Sequence, residues 1–177
     1  MGCGKSSVGR ELAALLSCPF TDLDSYIEER EQRRIPDIFA ADGEMAFRRM
    51  ELDALKAILG EYRQLQTGRP DLILSLGGGT LTTPECAGII HDRTVCIYLR
   101  ATIDTLFDNL KNDSAGRPML AGEPETFRQR IERLMETRGP VYESTAHVIT
   151  DIDGKSFTSV AAGIESIILN RAPALSS

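Results

Sequence analysis

The chain opens on Gly2-Cys3-Gly4-Lys5-Ser6-Ser7, and a helical pattern starts directly behind it, with Val8, Leu12, Leu15 and Leu16 on one stripe. Few short segments constrain a fold so tightly. Glycines let backbone N–H groups close around an anion, and a helix that begins at the same point aims its positive end at that anion. Lys5 is placed to reach the β- and γ-phosphates of a nucleotide and Ser6 to bind Mg²⁺. The residues form the second half of a phosphate-binding loop, G-x-x-x-x-G-K-[ST]. A flexible Gly/Ser leader is the competing reading, and the position of Gly-Lys-Ser at a helix start argues against it. The first glycine of the pattern, and the apolar strand that leads into it, would precede Met1. We therefore expect a start further upstream, because losing a central strand exposes two strand edges.

Behind this loop, helical and extended patterns alternate. A short extended piece is expected at Cys18 to Asp22, then a polar helix from about Ser25 to Arg33. Phe47, Met50, Ala54, Leu55 and Ile58 stripe another helix. Leu72 to Leu76 reads as a buried strand that runs into Gly77-Gly78-Gly79, and Thr94 to Leu99 as a second strand. Thr102 to Lys111 and Glu125 to Thr137 read as helices, Ala146 to Thr150 as a last strand, and Val160, Ile164, Ile167 and Ile168 mark a terminal helix. Alternation of this kind implies a mostly parallel sheet covered on both faces. In such sheets ligands bind beyond the carboxyl ends of the strands, so the loops that follow strands hold the chemistry.

Asp22 and Asp24 follow the first of these strands. If the segment stays extended, both carboxylates point the same way; one can hold Mg²⁺ through water and the other can take a proton from a hydroxyl. Alternatively Asp24 simply caps the next helix. Arg48 and Arg138 suit a two-pronged grip on a carboxylate, or are solvated surface residues. Three glycines after a buried strand point to close approach of a ligand to the backbone, or to a sharp turn. Arg117 lies in the polar, Gly/Pro-punctuated stretch of about 112–124, which reads as a lid carrying one arginine toward a transferring phosphoryl group.

The 177 residues fit one α/β domain, taken as 1–171 with a tail at 172–177. The net charge of −6 argues against a nucleic-acid partner. No apolar run is long enough for a membrane span and no signal peptide is visible. A cytoplasmic protein is expected, with Cys3, Cys18, Cys86 and Cys96 as reduced thiols.

Taken in order, Gly-Cys-Gly-Lys-Ser, Asp-Leu-Asp, Asp-Ile-Phe-Ala-Ala-Asp-Gly-Glu followed by Phe-Arg-Arg, Leu-Gly-Gly-Gly, Arg-Pro-Met-Leu and Arg-Gly-Pro-Val-Tyr resemble the shikimate kinase family from Gly2 to about Tyr142. The resemblance implies ATP-dependent phosphorylation of the shikimate 3-hydroxyl, with Mg²⁺, in the pathway to aromatic amino acids. It implies a monomer with a three-layer P-loop NTPase fold and a parallel sheet of order 2-3-1-4-5, whose first strand this chain lacks. It makes Asp24 the base, and Lys5 and Arg117 its catalytic companions. Arg48 and Arg138 become carboxylate ligands, Gly77, Gly78 and Gly79 the wall of the acceptor pocket, and Asp22 a partner of Ser6 around Mg²⁺. Gly2, Cys3, Gly4, Lys5, Ser6, Ser7 and Arg117 would hold ATP phosphates, and Glu51 would brace the arginines. The family often has arginine before the lid, where this chain has Phe107-Asp108-Asn109-Leu110-Lys111; Lys155 may stand for the basic residue after the last strand. Rival readings are another small-metabolite kinase, such as a gluconate kinase, and a non-catalytic nucleotide-binding pseudokinase.

Overall fold

Helix α1 (Lys5–Leu16) is the first element of the computed structural model, which describes residues 2–62, 70–111 and 124–171. There follow β1 (Phe20–Asp22), α2 (Leu23–Glu31), α3 (Ile35–Glu61), β2 (Ile73–Ser75), a 3₁₀ turn (Thr80–Thr82), α4 (Pro84–Arg93), β3 (Ile97–Arg100), α5 (Ile103–Lys111), α6 (Pro124–Thr145), β4 (Val148–Asp151) and α7 (Phe157–Arg171). The alternation is that of an α/β protein. Among the described residues, β1 pairs with β2 in parallel from Phe20↔Ile73 to Asp22↔Ser75. Likewise β3 pairs with β4 in parallel from Ile97↔Val148 to Arg100↔Asp151. These are the adjacent pairs 2-3 and 4-5 of the expected order.

Two compact units divide the chain: one comprises Gly4–Gly77 and Lys155–Ser177, the other Met1–Cys3 and Gly78–Gly154. In the first, α1 packs along α7 and over β1 and β2. The α1 stripe Val8, Leu12, Ala13 and Leu16 is buried, as are Val160, Ala161 and Ile164 of α7. Gly9 permits the close approach of α1 to the sheet, since a Cβ there would lie 2.6 Å from Phe20 Cε2. A second cluster joins Leu23 and Ile27 of α2 to Ile38, Phe47, Ala54 and Ile58 of α3. Each large apolar side chain so buried contributes about 1.5–3 kcal/mol.

The helices differ from the sequence pattern in four places. Helix α2 starts at Leu23 rather than Ser25 because Asp22, not Asp24, is its cap: the Asp22 carboxylate accepts from the N–H of Asp24 and of Ser25. The extended geometry that would aim both carboxylates alike is thus absent. Helix α3 is two segments joined at Gly43, which takes φ 79° and ψ 173°. Helix α6 continues through Pro140 to Thr145; α4, whose buried residues are Cys86 and Ile90, has no counterpart in the sequence expectation.

In the second unit, α5 and α6 pack together through Leu106, Leu110, Phe127 and Ile131, all buried. The Phe107 and Phe127 rings meet at 5.5 Å. No helix among the described residues is long and apolar enough to cross a membrane. Arg117, the rest of the expected lid at 112–123, and the tail at 172–177 lie outside the described residues.

Gly9→Val forces branched methyl groups against Phe20 and Ile73. We expect it to destabilise the fold by about 1–3 kcal/mol, read as a lower urea midpoint at unchanged m-value; an unchanged midpoint would disprove the packing argument.

Candidate active site

Asp22 ends β1 and caps α2, so its position is fixed from both directions. One carboxylate oxygen, Oδ1, takes the two N–H groups at the start of α2. The other, Oδ2, accepts from the Ser6 hydroxyl at 2.6 Å. Ser6 lies in the first turn of α1, and its Oγ is also 3.5 Å from Ser75 Oγ, at the carboxyl end of β2. Three oxygen-bearing side chains therefore meet where α1 begins and where β1 and β2 end. This is the place that open α/β sheets offer to ligands.

Gly4 is the N-cap of α1 at φ 72°, a left-handed conformation that favours glycine, and no side chain caps the helix there. Lys5 is the first helical residue and Ser7 is exposed. Asp24 lies in the first turn of α2. Burial pushes its carboxyl up from 3.8 to about 6, and the charges of Asp22, Glu51 and Glu28 act in the same direction; Lys5 opposes them. Electrostatics thus ties Asp24 to Lys5, although their elements are far apart in sequence. Lys155 is exposed, in the segment before α7.

Arg48, on α3 after the Gly43 break, donates Nη1 to Glu51 Oε2 at 2.5 Å and Nη2 to Glu44 Oε1 at 2.9 Å. Glu51 is buried, so the ion pair holds the inner edge of the guanidinium firmly; an unpaired charge there would be costly.

In the unit that contains Gly78, the Gly78 carbonyl accepts from Arg138 Nη1 at 3.1 Å and from the Tyr142 hydroxyl. Gly79 is buried and caps the 3₁₀ turn, its carbonyl accepting from Thr82 Oγ1 at 2.6 Å. Gly77 is partly buried in the loop after β2. Among the described residues the positive-φ glycines are Gly2, Gly4, Gly43 and Gly154. Gly77 to Gly79 therefore do not owe their residue type to left-handed backbone. Gly2 sits close against Leu110, and its carbonyl accepts from Asn109 Nδ2 at 2.8 Å; Cys3 is buried beside it.

The structure thus gathers Ser6, Asp22, Asp24 and Lys5 within one unit, and Arg138 with Gly78 within the other. Three participants escaped the sequence reading. Ser75 is a polar residue inside the apolar run Leu72 to Leu76. Tyr142 stands four residues after Arg138, on the same helix face. Asn109 occupies the stretch where only Lys111 had drawn notice. For Mg²⁺, Ser6 and Asp22 offer hard oxygen donors, the donor type that ion takes when phosphates and water complete its shell.

The shikimate kinase family model matches residues 1–168. A shikimate kinase from Thermus thermophilus is 40% identical over 164 residues, 93% of this chain and 83% of the relative. One from Dictyoglomus turgidum is 33% identical over 162 residues, 90% of this chain and 88% of the relative. Among solved structures, shikimate kinase from Acinetobacter baumannii in complex with shikimate superposes with a TM-score of 0.85 at 30% identity, covering 97% of this chain and 89% of that one. Parallel strand pairs, a glycine-lysine-serine helix start and similarity over nearly the whole length agree: the chain belongs to the shikimate kinase family.

Proposed function

We propose that this chain transfers the γ-phosphoryl group of ATP to the 3-hydroxyl of shikimate, giving shikimate 3-phosphate and ADP. The observation that carries the reading is the join of Ser6 to Asp22, which sets the phosphate-loop helix beside the start of α2 and so beside Asp24. Membership of the family supports the reading.

Phosphoryl transfer needs little covalent chemistry from the protein and much positioning and charge neutralisation. Gly2 to Ser7 would cradle the phosphates, with Lys5 supplying a fixed positive charge. Asp24 would orient the acceptor hydroxyl and take its proton as the oxygen bonds to the γ-phosphorus and the bond from that phosphorus to ADP breaks. A carboxyl lifted to about 6 is a stronger base than an ordinary aspartate, yet still ionised at neutral pH. Mg²⁺, held by Ser6 and Asp22, would offset negative charge on the phosphates. Arg48 and Arg138 would take the shikimate carboxylate, the Gly77 to Gly79 backbone would line the acceptor pocket, and Arg117 would act from the lid. Lys155 would stand near the nucleotide. We take residues 1–171 as one catalytic domain, monomeric and cytoplasmic, since an ATP-consuming reaction fits that compartment.

ADP release by the purified chain with Mg-ATP, with and without shikimate, tests the reading. Strong shikimate-dependent release is expected. Release that responds instead to gluconate, or nucleotide binding with no turnover on any acceptor, would overturn it. Lys5→Ala should lower kcat by about 10²–10³ and Asp24→Asn by about 10²–10⁴, both with an unchanged circular dichroism spectrum. Near-normal turnover in either variant would remove its assigned role.

The pH dependence has a defined sign. At subsaturating substrates, kcat/KM should rise tenfold per pH unit up to about 6 and then level, following ionisation of Asp24. The residual activity of Asp24→Asn should lack that limb.

Stability should run the other way. With its pKa raised by folding, Asp24 binds its proton more tightly in the folded state, so its contribution is intact below about pH 4 and is lost as pH rises through 6. By pH 8 its charge costs about 1–3 kcal/mol. Asp24→Asn should therefore melt higher than wild type at pH 8, with the gap closing toward pH 4; a variant less stable at pH 8 would contradict the burial argument.

A further inference from the structure

Arg48 divides its guanidinium between two carboxylates in very different surroundings. Glu51, on Nη1, has a side chain 1% exposed; Glu44, on Nη2, has one 67% exposed, and Arg48 itself is 19% exposed. Breaking the inner pair would cost a buried charge its ion pair with Arg48. The outer pair is an exposed ion pair of i,i+4 spacing, the kind that holds weakly and is screened by salt. Glu44 also has somewhere else to go. Gly43, at φ 79° and ψ 173°, interrupts α3 immediately before it, and a Cβ at Gly43 would meet nothing within 4 Å. Glu44 thus stands at the start of a new helical segment, where unsatisfied N–H groups favour a carboxylate.

The bond from Nη2 to Glu44 is exposed whereas that from Nη1 to Glu51 is partly buried, and a guanidinium binds one carboxylate by the same donors as another. We propose that Glu44 is an internal competitor of the substrate: its carboxylate and that of shikimate contend for the same Nη2 donor of Arg48. Glu51 fixes the guanidinium, and Glu44 weakens acceptor binding by having to be displaced. Glu44 is in this sense a positioning residue with a negative effect on affinity, and it speeds release of carboxylate-bearing ligands. The inference rests on the reading that Arg48 binds the acceptor carboxylate.

Opposite roles for Glu44 predict opposite signs, which makes steady-state kinetics decisive. Glu44→Ala and Glu44→Gln should lower the KM for shikimate by about two- to fivefold, the scale of an exposed ion pair, with kcat and the KM for ATP unchanged. The gain should shrink in high salt. If Glu44 instead held Arg48 in place for the substrate, both variants would raise the KM, and a raised or unchanged KM overturns the proposal. Arg48→Ala separates this failure from that of the underlying reading. If it leaves the KM for shikimate unchanged, the carboxylate role of Arg48 falls, and the competition with it. A KM raised in Arg48→Ala but not lowered in Glu44→Ala removes the competition alone. In the Arg48→Ala background, Glu44→Ala should change nothing.

Discussion

The Asp22 carboxylate is where helix α1, strand β1 and helix α2 become one arrangement. It ends a strand, caps a helix with one oxygen and receives the Ser6 hydroxyl with the other. Charge-assisted bonds of this kind are stronger than neutral ones, and here they act on three elements at once. Take the carboxylate away and α2 loses its cap, Ser6 loses its partner, and Asp24 loses the backbone turn that places it. A residue with the chemistry of a metal ligand is thus also a fold determinant. Its substitution would confuse structural with catalytic loss, and Asp24 and Lys5 are the cleaner positions at which to separate them.

The same corner of the structure trades stability for basicity. Asp24 sits with Asp22, Glu51 and Glu28 as negative neighbours and Lys5 as the positive one, in partial burial. Desolvation is the leading cause of its raised pKa, and desolvation is also what makes its charge unfavourable in the folded state. A base pKa near the working pH and a fully relaxed carboxylate are therefore incompatible. Glu51 joins the two sides of this balance. As a buried anion it raises Asp24, and as the inner partner of Arg48 it fixes one edge of the guanidinium.

Legibility from sequence followed how local each requirement was. Gly4, Lys5 and Ser6 were readable because the backbone around an anion dictates residue types at fixed spacing. The left-handed Gly4 and the helix from Lys5 agree with the helix start that this spacing predicts. Strands β2 and β3 were readable from apolar runs, since parallel buried strands have few polar residues, whereas their order in the sheet came only from the family resemblance. The split of duties between Asp22 and Asp24 was not, because it depends on Ser6, sixteen residues away. Gly43 lies four residues ahead of the stripe that opens at Phe47, so the apolar pattern carried no sign of the break it makes in α3. The expected helix ended at Thr137, but α6 runs on through Pro140 to Thr145, where one lost N–H does not outweigh the packing of α6 on α4 and α5. Helix α4 offered only two buried positions, too few to form a stripe.

Gly78 shows how a helix can shape a loop through a single carbonyl. Arg138 and Tyr142, one turn apart on α6, both donate to it, which uses both of its lone pairs. The peptide between Gly78 and Gly79 is planar and trans, so its N–H must point away from those two donors. Side chains on the loop could block what lies on that side; glycines cannot. Left-handed backbone is ruled out as the reason for Gly77 to Gly79, and close approach to the backbone is the physical account that three glycines after a strand suggest. Arg138 commits one of its five N–H groups to this carbonyl, and Tyr142 its single hydroxyl hydrogen.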